Sequence, residues 1–463
     1  MLKQFNFHNY LSYGDDDGQT VKLSMMAGKT KIHPEHLHEN GKEKLLSSAV
    51  VFGANGSGKS NLVKAIRFMK KCVLDRMPDG FYSSFNRNHK ENAEKPSYFE
   101  VELVLDKKNY IYGFEAVLSH GEFCSEWLLN RDSNTGKELV MFERDMLSGT
   151  YQSEIKDKKL QNRLNLYLSD IRLSKSSLFL KSMDGKDEFF KDFPGADPLM
   201  RVLHWFREDL KIITPDLKAT EYSKLTSKQH IHEFESILSG FGTGIQSIKK
   251  NPFSFDELVD RLDPKTRDLL LFTLSKNKQE YGKKSQISIQ LDFGGDLYFI
   301  EQSKDRFETF QLAFTHKGAD PDMQFSLRDE SDGTKRLIDL TDVLLDNEDK
   351  VFFIDELDRC LHPNLTRRFL SVFLRKAQNR NSQLICTTHT TCLLDFDVIR
   401  RDEIWFVDTD SCGNSHLYSL EDYNERFDRV IEKAYLSGRY GAIPTFKKLF
   451  LEGEQSSNER EAG

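Results

Sequence analysis

Gly53-Ala54-Asn55-Gly56-Ser57-Gly58-Lys59-Ser60 is the stretch on which the fold turns, and its flanks decide how it is read. Upstream, Ala49-Val50-Val51-Phe52 is a short apolar, β-branched run that reads as a buried strand. Downstream, Leu62, Ile66, Met69 and Val73 recur at steps of four, three and four, one face of a helix. A glycine-rich octet between a strand and a helix has the Walker A pattern, in which glycines let the backbone wrap a phosphate and the helix N-terminus offers free N–H groups to it. Gly53, Asn55, Gly56, Ser57, Gly58, Lys59, Ser60 and Asn61 are therefore the candidate residues for ATP. Lys59 would reach the β and γ phosphates and the Ser60 hydroxyl would ligate Mg²⁺.

Three further stretches bear on the same chemistry. Val351-Phe352-Phe353-Ile354-Asp355-Glu356 is an apolar strand ending in two carboxylates. On its own such an end is most often solvated. Paired with a phosphate loop it reads as a Walker B strand, with Asp355 as the Mg²⁺ ligand and Glu356 placed to deprotonate an attacking water. Gln383-Leu384-Ile385-Cys386-Thr387-Thr388-His389 is a second short strand, ending in a histidine that matches the γ-phosphate switch of ABC-type ATPases. Cys386, His389 and Cys392 lack the paired spacing of a zinc site. Finally, Ser331-Asp332-Gly333 opens a helical pattern through Leu337, Leu340 and Leu344 that runs into the Walker B strand. Ser331 would cap that helix in any case; together with Gly333 it also offers an anion site resembling the ABC signature, which in that architecture meets the nucleotide of a second copy.

More than half the chain separates Lys59 from Ser331, so something is inserted. Tyr98–Leu105, Tyr110–Leu118 and Phe123–Leu129 read as an antiparallel sheet, whereas residues 151–284 read as helical, with Phe255, Leu258, Val259 and Leu262 at helical spacing. The expectation is an α/β ATPase head, a mixed sheet with flanking helices plus an antiparallel β subdomain. It is built from residues 1–150 and 285–451, with a helical insertion domain at 151–284 and a disordered polar tail at 452–463. His33-Pro34-Glu35-His36-Leu37-His38-Glu39 offers divalent-metal ligands, yet its polar surroundings favour a solvated loop.

Composition narrows the rest. A formal net charge of −7 gives no general pull toward nucleic acid, so any DNA contact would need a local basic face. The start of the chain lacks the apolar core of a signal peptide and no apolar run is long enough to span a bilayer, so a cytoplasmic protein without membrane contact is expected.

The chain resembles the RecF-, SMC- and OLD-like ABC ATPases, and within them the stand-alone abortive-infection and anti-phage ATPases of the PtuA and AriA type. The resemblance is carried by Met1–Tyr13, by Asp355-Glu356-Leu357-Asp358-Arg359-Cys360-Leu361-His362-Pro363, by Asp329–Arg336 and by Tyr435–Pro444. It covers most of the head and little of the insert. It implies slow ATP hydrolysis by a homodimer joined through ATP-bound heads, or by a higher oligomer. A DNA or phage-protein trigger and a separate effector, a nuclease or a toxin, complete the picture. The alternative is a RecF-like DNA-binding ATPase of recombination and repair. The signature lacks the second glycine and the glutamine of transporter proteins, and no glutamine stands between Phe81 and Tyr98 where a Q-loop would be. Asp408-Thr409-Asp410 echoes the nuclease carboxylates of OLD proteins, but Asp410–Ser415 lies between two strand patterns and reads as a hairpin turn, and the sequence after it is too short for a nuclease domain.

Overall fold

The computed structural model describes residues 1–14, 20–132, 135–215, 228–281, 287–293, 296–303, 306–320, 323–346, 348–423 and 431–443. The tail at 452–463 lies outside them. Its centre is a six-stranded sheet in the order Leu210–Ile213, Val351–Ile354, Gln383–Thr387, Ser48–Gly53, Ile404–Thr409, Ser415–Ser419, parallel except for the last strand. The histidine-bearing strand thus lies between the Walker A and Walker B strands. Alternation along each strand builds two cores. Ala49, Val51, Val351, Phe353, Ile385 and Val407 face one side, while Val50, Phe52, Phe352, Ile354, Leu384 and Phe406 face the other. A parallel sheet covered on both faces carries continuous apolar runs because no face is left for polar residues.

On the first side lie the P-loop helix, Lys59–Leu74, and a seven-stranded antiparallel sheet in the order Thr150–Gln152, Glu138–Asp145, Glu122–Arg131, Lys108–Val117, Ser97–Leu105, Leu2–His8, Val21–Ser24. Leu62, Ile66, Met69 and Val73 are fully buried there, each contributing about 1.5–3 kcal/mol by leaving water. On the second side pack the helix Asp332–Leu345, the helix Pro363–Ala377 and the helix Lys228–Gly240. A five-stranded sheet, Ile245–Phe253, Arg306–His316, Asp296–Ser303 and Ile287–Phe293 with Phe325–Ser326 at its side, carries a small core of its own with the helices Phe255–Arg261 and Pro264–Tyr281.

The expected helical insertion domain at 151–284 needs correction. Its first helices, Lys158–Ile171 to Asp197–His204, join the same core as the P-loop helix. Leu210–Ile213 then enters the central sheet beside Walker B, and Ile245–Phe253 pairs with Arg306–His316. A four-residue stretch broken by Lys211 and a strand interrupted by Lys249 and Lys250 carry too little alternation to be seen as strands. Asp410–Asn414 is a hairpin turn, closed by the Asp410 N–H to Asn414 O at 2.9 Å.

Candidate functional site

The carboxyl ends of the Walker A strand, the Walker B strand and the strand between them open onto one cleft of about 510 Å³. Its walls include Asn55, Gly56, Gly58, Lys59, Ser60, Asn61, Glu356 and His389. Gly53 and Ser57 lie just beneath. A Cβ on Gly53 would sit 2.5 Å from Val407 O and 2.7 Å from Ser57 Oγ, and Gly58 has φ 108°, so both positions require glycine. The buried Ser57 Oγ has no hydrogen-bond partner.

The loop is propped from below by residues far away in sequence. Asn61 Nδ2 donates to Ser12 Oγ at 2.8 Å, Ser415 Oγ donates to Ser57 O at 2.6 Å, and Tyr13 OH donates to Gly58 O at 3.2 Å. Ser12 belongs to a turn anchored by Asn9, whose side chain bonds Asn92 O and Asn86 N, and Ser415 follows Asn414, which bonds Asn86 and Asn88. Only the fold brings the first strand, the 86–92 loop and the 410–415 turn together under the phosphate loop.

Lys59 Nζ donates to Gly53 O and Ala54 O at 2.8 Å each. Burial pushes its ammonium down to about 8, with Asp355, Asp358 and Glu356 opposing. Ser60 Oγ donates to Asp355 Oδ1 at 3.1 Å, and Thr387 Oγ1 donates to the same oxygen at 2.6 Å. A hydroxyl and a carboxylate that share one point beside a phosphate loop are the hard oxygen pair Mg²⁺ takes. Together with the partnerless Ser57 hydroxyl and the glycine-bounded cradle, they fit a magnesium nucleotide.

Glu356 has φ 50°, an uncommon conformation for a residue with a Cβ, costing of order 1–3 kcal/mol. Its N–H is held by Thr387 Oγ1 at 2.8 Å, and the turn leaves Glu356 on the cleft while Leu357 enters the core. Asp358 binds the end of the neighbouring strand, accepting from Thr388 Oγ1 at 2.8 Å and from the His389 N–H at 3.2 Å. His389 is exposed on the cleft wall, its imidazole held toward the neutral form by partial burial and the nearby Lys59.

Ser331 and Gly333 do not line this cleft. Ser331 is exposed at the start of the helix Asp332–Leu345, its Oγ accepting from Thr334 N at 3.1 Å, and a Cβ on Gly333 would meet Cys360 O at 2.9 Å. From the same helix, buried Arg336 Nη2 donates to Glu356 O at 3.0 Å and to Asp355 O at 3.3 Å. Sequence reasoning gave no site role to Arg336, Asp358, Arg359, Thr387, Ser12 or Ser415. Asp358 and Thr387 were within reach, as a third acid and a hydroxyl beside motif residues. Ser12 and Ser415 carried no local signal.

A phosphate loop and a pair of carboxylates at the ends of two parallel strands, with the His389 strand between them, define a domain of the P-loop ATPase class. Within it the chain belongs to the family described as "AAA domain, putative AbiEii toxin, Type IV TA system", which matches residues 48–210 and 125–395. No curated protein matches the sequence. Among solved structures, similarity extends to an SmcHead bound to the C-winged helix domain of ScpA, at 13% identity over 90% of this chain and 97% of that one, with a TM-score of 0.43. It extends also to the SMC head domain from Thermotoga maritima, at 12% identity over 90% and 98%, TM-score 0.33. A Smc head domain with an extended coiled coil, bound to the C-terminal domain of ScpA derived from Pyrococcus furiosus, matches at 12% identity over 95% and 99%, TM-score 0.36.

Proposed function

We propose that the protein binds and hydrolyses ATP in composite sites formed by two copies, and uses that cycle to regulate a separate effector, a nuclease or toxin, in anti-phage defence. The observation that carries the composite site is that Ser331, an exposed helix-start hydroxyl, is missing from a cleft that already holds the other nucleotide motifs. The family's description, which names the AbiEii toxin and a type IV toxin–antitoxin system, supports the defence role.

Ser60 and Asp355 would hold Mg²⁺, which would supply charge neutralisation to the nucleotide phosphates. Lys59 turns from the Gly53 and Ala54 carbonyls to those phosphates. Glu356 accepts the proton of a water whose oxygen bonds to the γ phosphorus as the bond to the bridging oxygen breaks, releasing ADP and phosphate. His389 holds the γ-phosphate, and the partner copy's signature helix start closes the far side.

Mixing tests the arrangement. Lys59→Ala and Ser331→Arg subunits, each inactive alone, form a heterodimer with one doubly damaged site and one intact site. Activity returning on mixing supports the composite site. Mixed dimers that are shown to form and stay inactive argue against independent composite sites. For the effector, the partner that co-elutes with the protein when its genomic neighbours are co-expressed should be a nuclease or toxin. A RecF-like reading draws on the groove beside Arg367, Arg368 and Arg375 on the helix Pro363–Ala377. Strong, salt-sensitive, ATP-dependent DNA binding would favour it.

A further inference from the structure

The stretch 33–39 expected to be solvated is so only in part: Pro34, Glu35 and Glu39 are exposed, whereas His36 and His38 are 5% and 6% exposed. His33, Glu35 and His36 each offer a ligand atom, all within 4.8 Å of one another. The surroundings orient each imidazole. His33 Nε2 donates to Phe396 O at 2.8 Å, and Nδ1 faces Glu35 Oε1 at 3.0 Å. His36 Nδ1 donates to Glu403 Oε2 at 3.0 Å, leaving Nε2 bare. The two rings stack with centroids 4.9 Å apart.

A ring nitrogen and a carboxylate oxygen 3.0 Å apart need a positive charge between them, either a proton on the imidazole or a metal ion. Glu403 adds to the demand for a cation. Its side chain is fully buried, and its other oxygen, Oε1, has no hydrogen-bond partner. Its Oε2 accepts from the Arg400 N–H at 2.7 Å as well as from His36, but among the described residues no lysine ammonium or arginine guanidinium lies within ion-pair distance of it: the Arg400 guanidinium is spent on Asp402 and on the carbonyls of Thr30, Ile32 and His33. A buried carboxylate without a paired cation is costly.

We infer that His33, Glu35 and His36 form a binding site for a divalent transition-metal ion of the zinc type. His33 Nδ1, the Glu35 carboxylate and His36 Nε2 are the ligands, and Glu403 and the Phe396 carbonyl orient the two imidazoles from behind. Two imidazoles and one carboxylate form a ligand set that zinc takes. Ligand atoms on a tetrahedral ion with bonds of about 2.0–2.1 Å sit roughly 3.3 Å apart, so the His33–Glu35 separation already suits it and His36 needs a small approach. A carboxylate or carbonyl behind each ligating histidine is the usual outer arrangement of such sites. The fourth position faces solvent on the side of Glu35, whose side chain is 43% exposed. The ion would tie the 30–36 loop to residues 396–403, a few residues beyond His389.

The test uses full-length protein stripped with chelator and free of nucleotide, which keeps the phosphate site out of the measurement. Titration with Zn²⁺ by calorimetry and with Co²⁺ by visible absorption should give one site per chain. The cobalt spectrum should be tetrahedral and without the thiolate charge-transfer band that binding at Cys360 or Cys412 would produce. His33→Ala and Glu35→Ala, both at partly exposed side chains, should weaken binding tenfold or more while leaving the metal-free melting curve in place. Glu403→Gln, which keeps the shape behind His36, should weaken it about 10–100-fold. Absence of stoichiometric binding by the wild-type chain would overturn the inference in favour of a His33 imidazolium paired with Glu35. Undiminished binding in both His33→Ala and Glu35→Ala would overturn it equally, by placing the metal elsewhere.

Discussion

In the proposed nucleotide site, Lys59 would couple binding to pH. Burial lowers its ammonium from the ordinary 10.5 to about 8. Between those values the unfolded chain holds a proton that the folded chain has released, so this lysine's contribution to stability rises with pH across that window and is unfavourable below it. Nucleotide phosphates beside the amine restore its charge, so binding takes up a proton above about pH 8. Affinity for a non-hydrolysable ATP analogue should be nearly flat from pH 7 to 8 and then fall, approaching about tenfold per pH unit. Calorimetry in buffers of different ionisation enthalpy would count the proton. Flat affinity with no proton uptake up to pH 9.5 would mean the amine keeps its ordinary basicity. The motif residues were legible because each lies in a contiguous stretch whose local pattern announces it: glycines before Lys59, apolar residues before Asp355, an apolar strand before His389. Ser12, Asn9 and Ser415, which hold the phosphate loop from below, were not legible, because their meaning exists only in contacts across the fold.

Among elements, the attachment of the helices Lys158–Ile171 and Phe179–Ser182 to the antiparallel sheet depends on a fully buried pair, Arg144 and Glu126, 3.1 Å apart. Arg144 also donates to Ile171 O and Ser177 O, and Glu126 accepts from Tyr112 OH and from the N–H groups of Phe179 and Leu180. Removing one partner leaves the other charge buried and unpaired. Arg144→Met should cost about 3–5 kcal/mol in urea unfolding, and adding Glu126→Gln should recover part of that loss. A cost below about 1 kcal/mol in the single variant would show that the pair is not what holds these helices. The same segment shows why the helical insert was misdrawn. Helical periodicity at Phe255–Leu262 was strong enough to read, whereas Leu210-Lys211-Ile212-Ile213 is a strand only because Val351–Ile354 lies beside it.

At the level of the whole molecule, the composite site proposed above would make assembly part of the chemistry. Glu356→Gln removes the proposed base and leaves the Ser60–Asp355 pair in place, so ATP should still bind and draw two heads together while turnover stops. Light scattering after size exclusion with ATP should show more of the larger species than wild type, along with loss of phosphate release. Wild-type turnover in this variant would move the base to another residue, and Asp358, the other carboxylate on the cleft wall, is the first to examine. By itself the sequence determined the P-loop class, the order of its motifs and the antiparallel sheet, since each is written in a local period or a contiguous motif. Tertiary structure alone decided that the His389 strand separates Walker A from Walker B, that the supposed insert supplies strands to two sheets, that Arg336 ties the helix Asp332–Leu345 to the Glu356 backbone, and that His36 is buried against Glu403. Those outcomes depend on pairings between distant segments, where long-range packing and buried charge outweigh local preference.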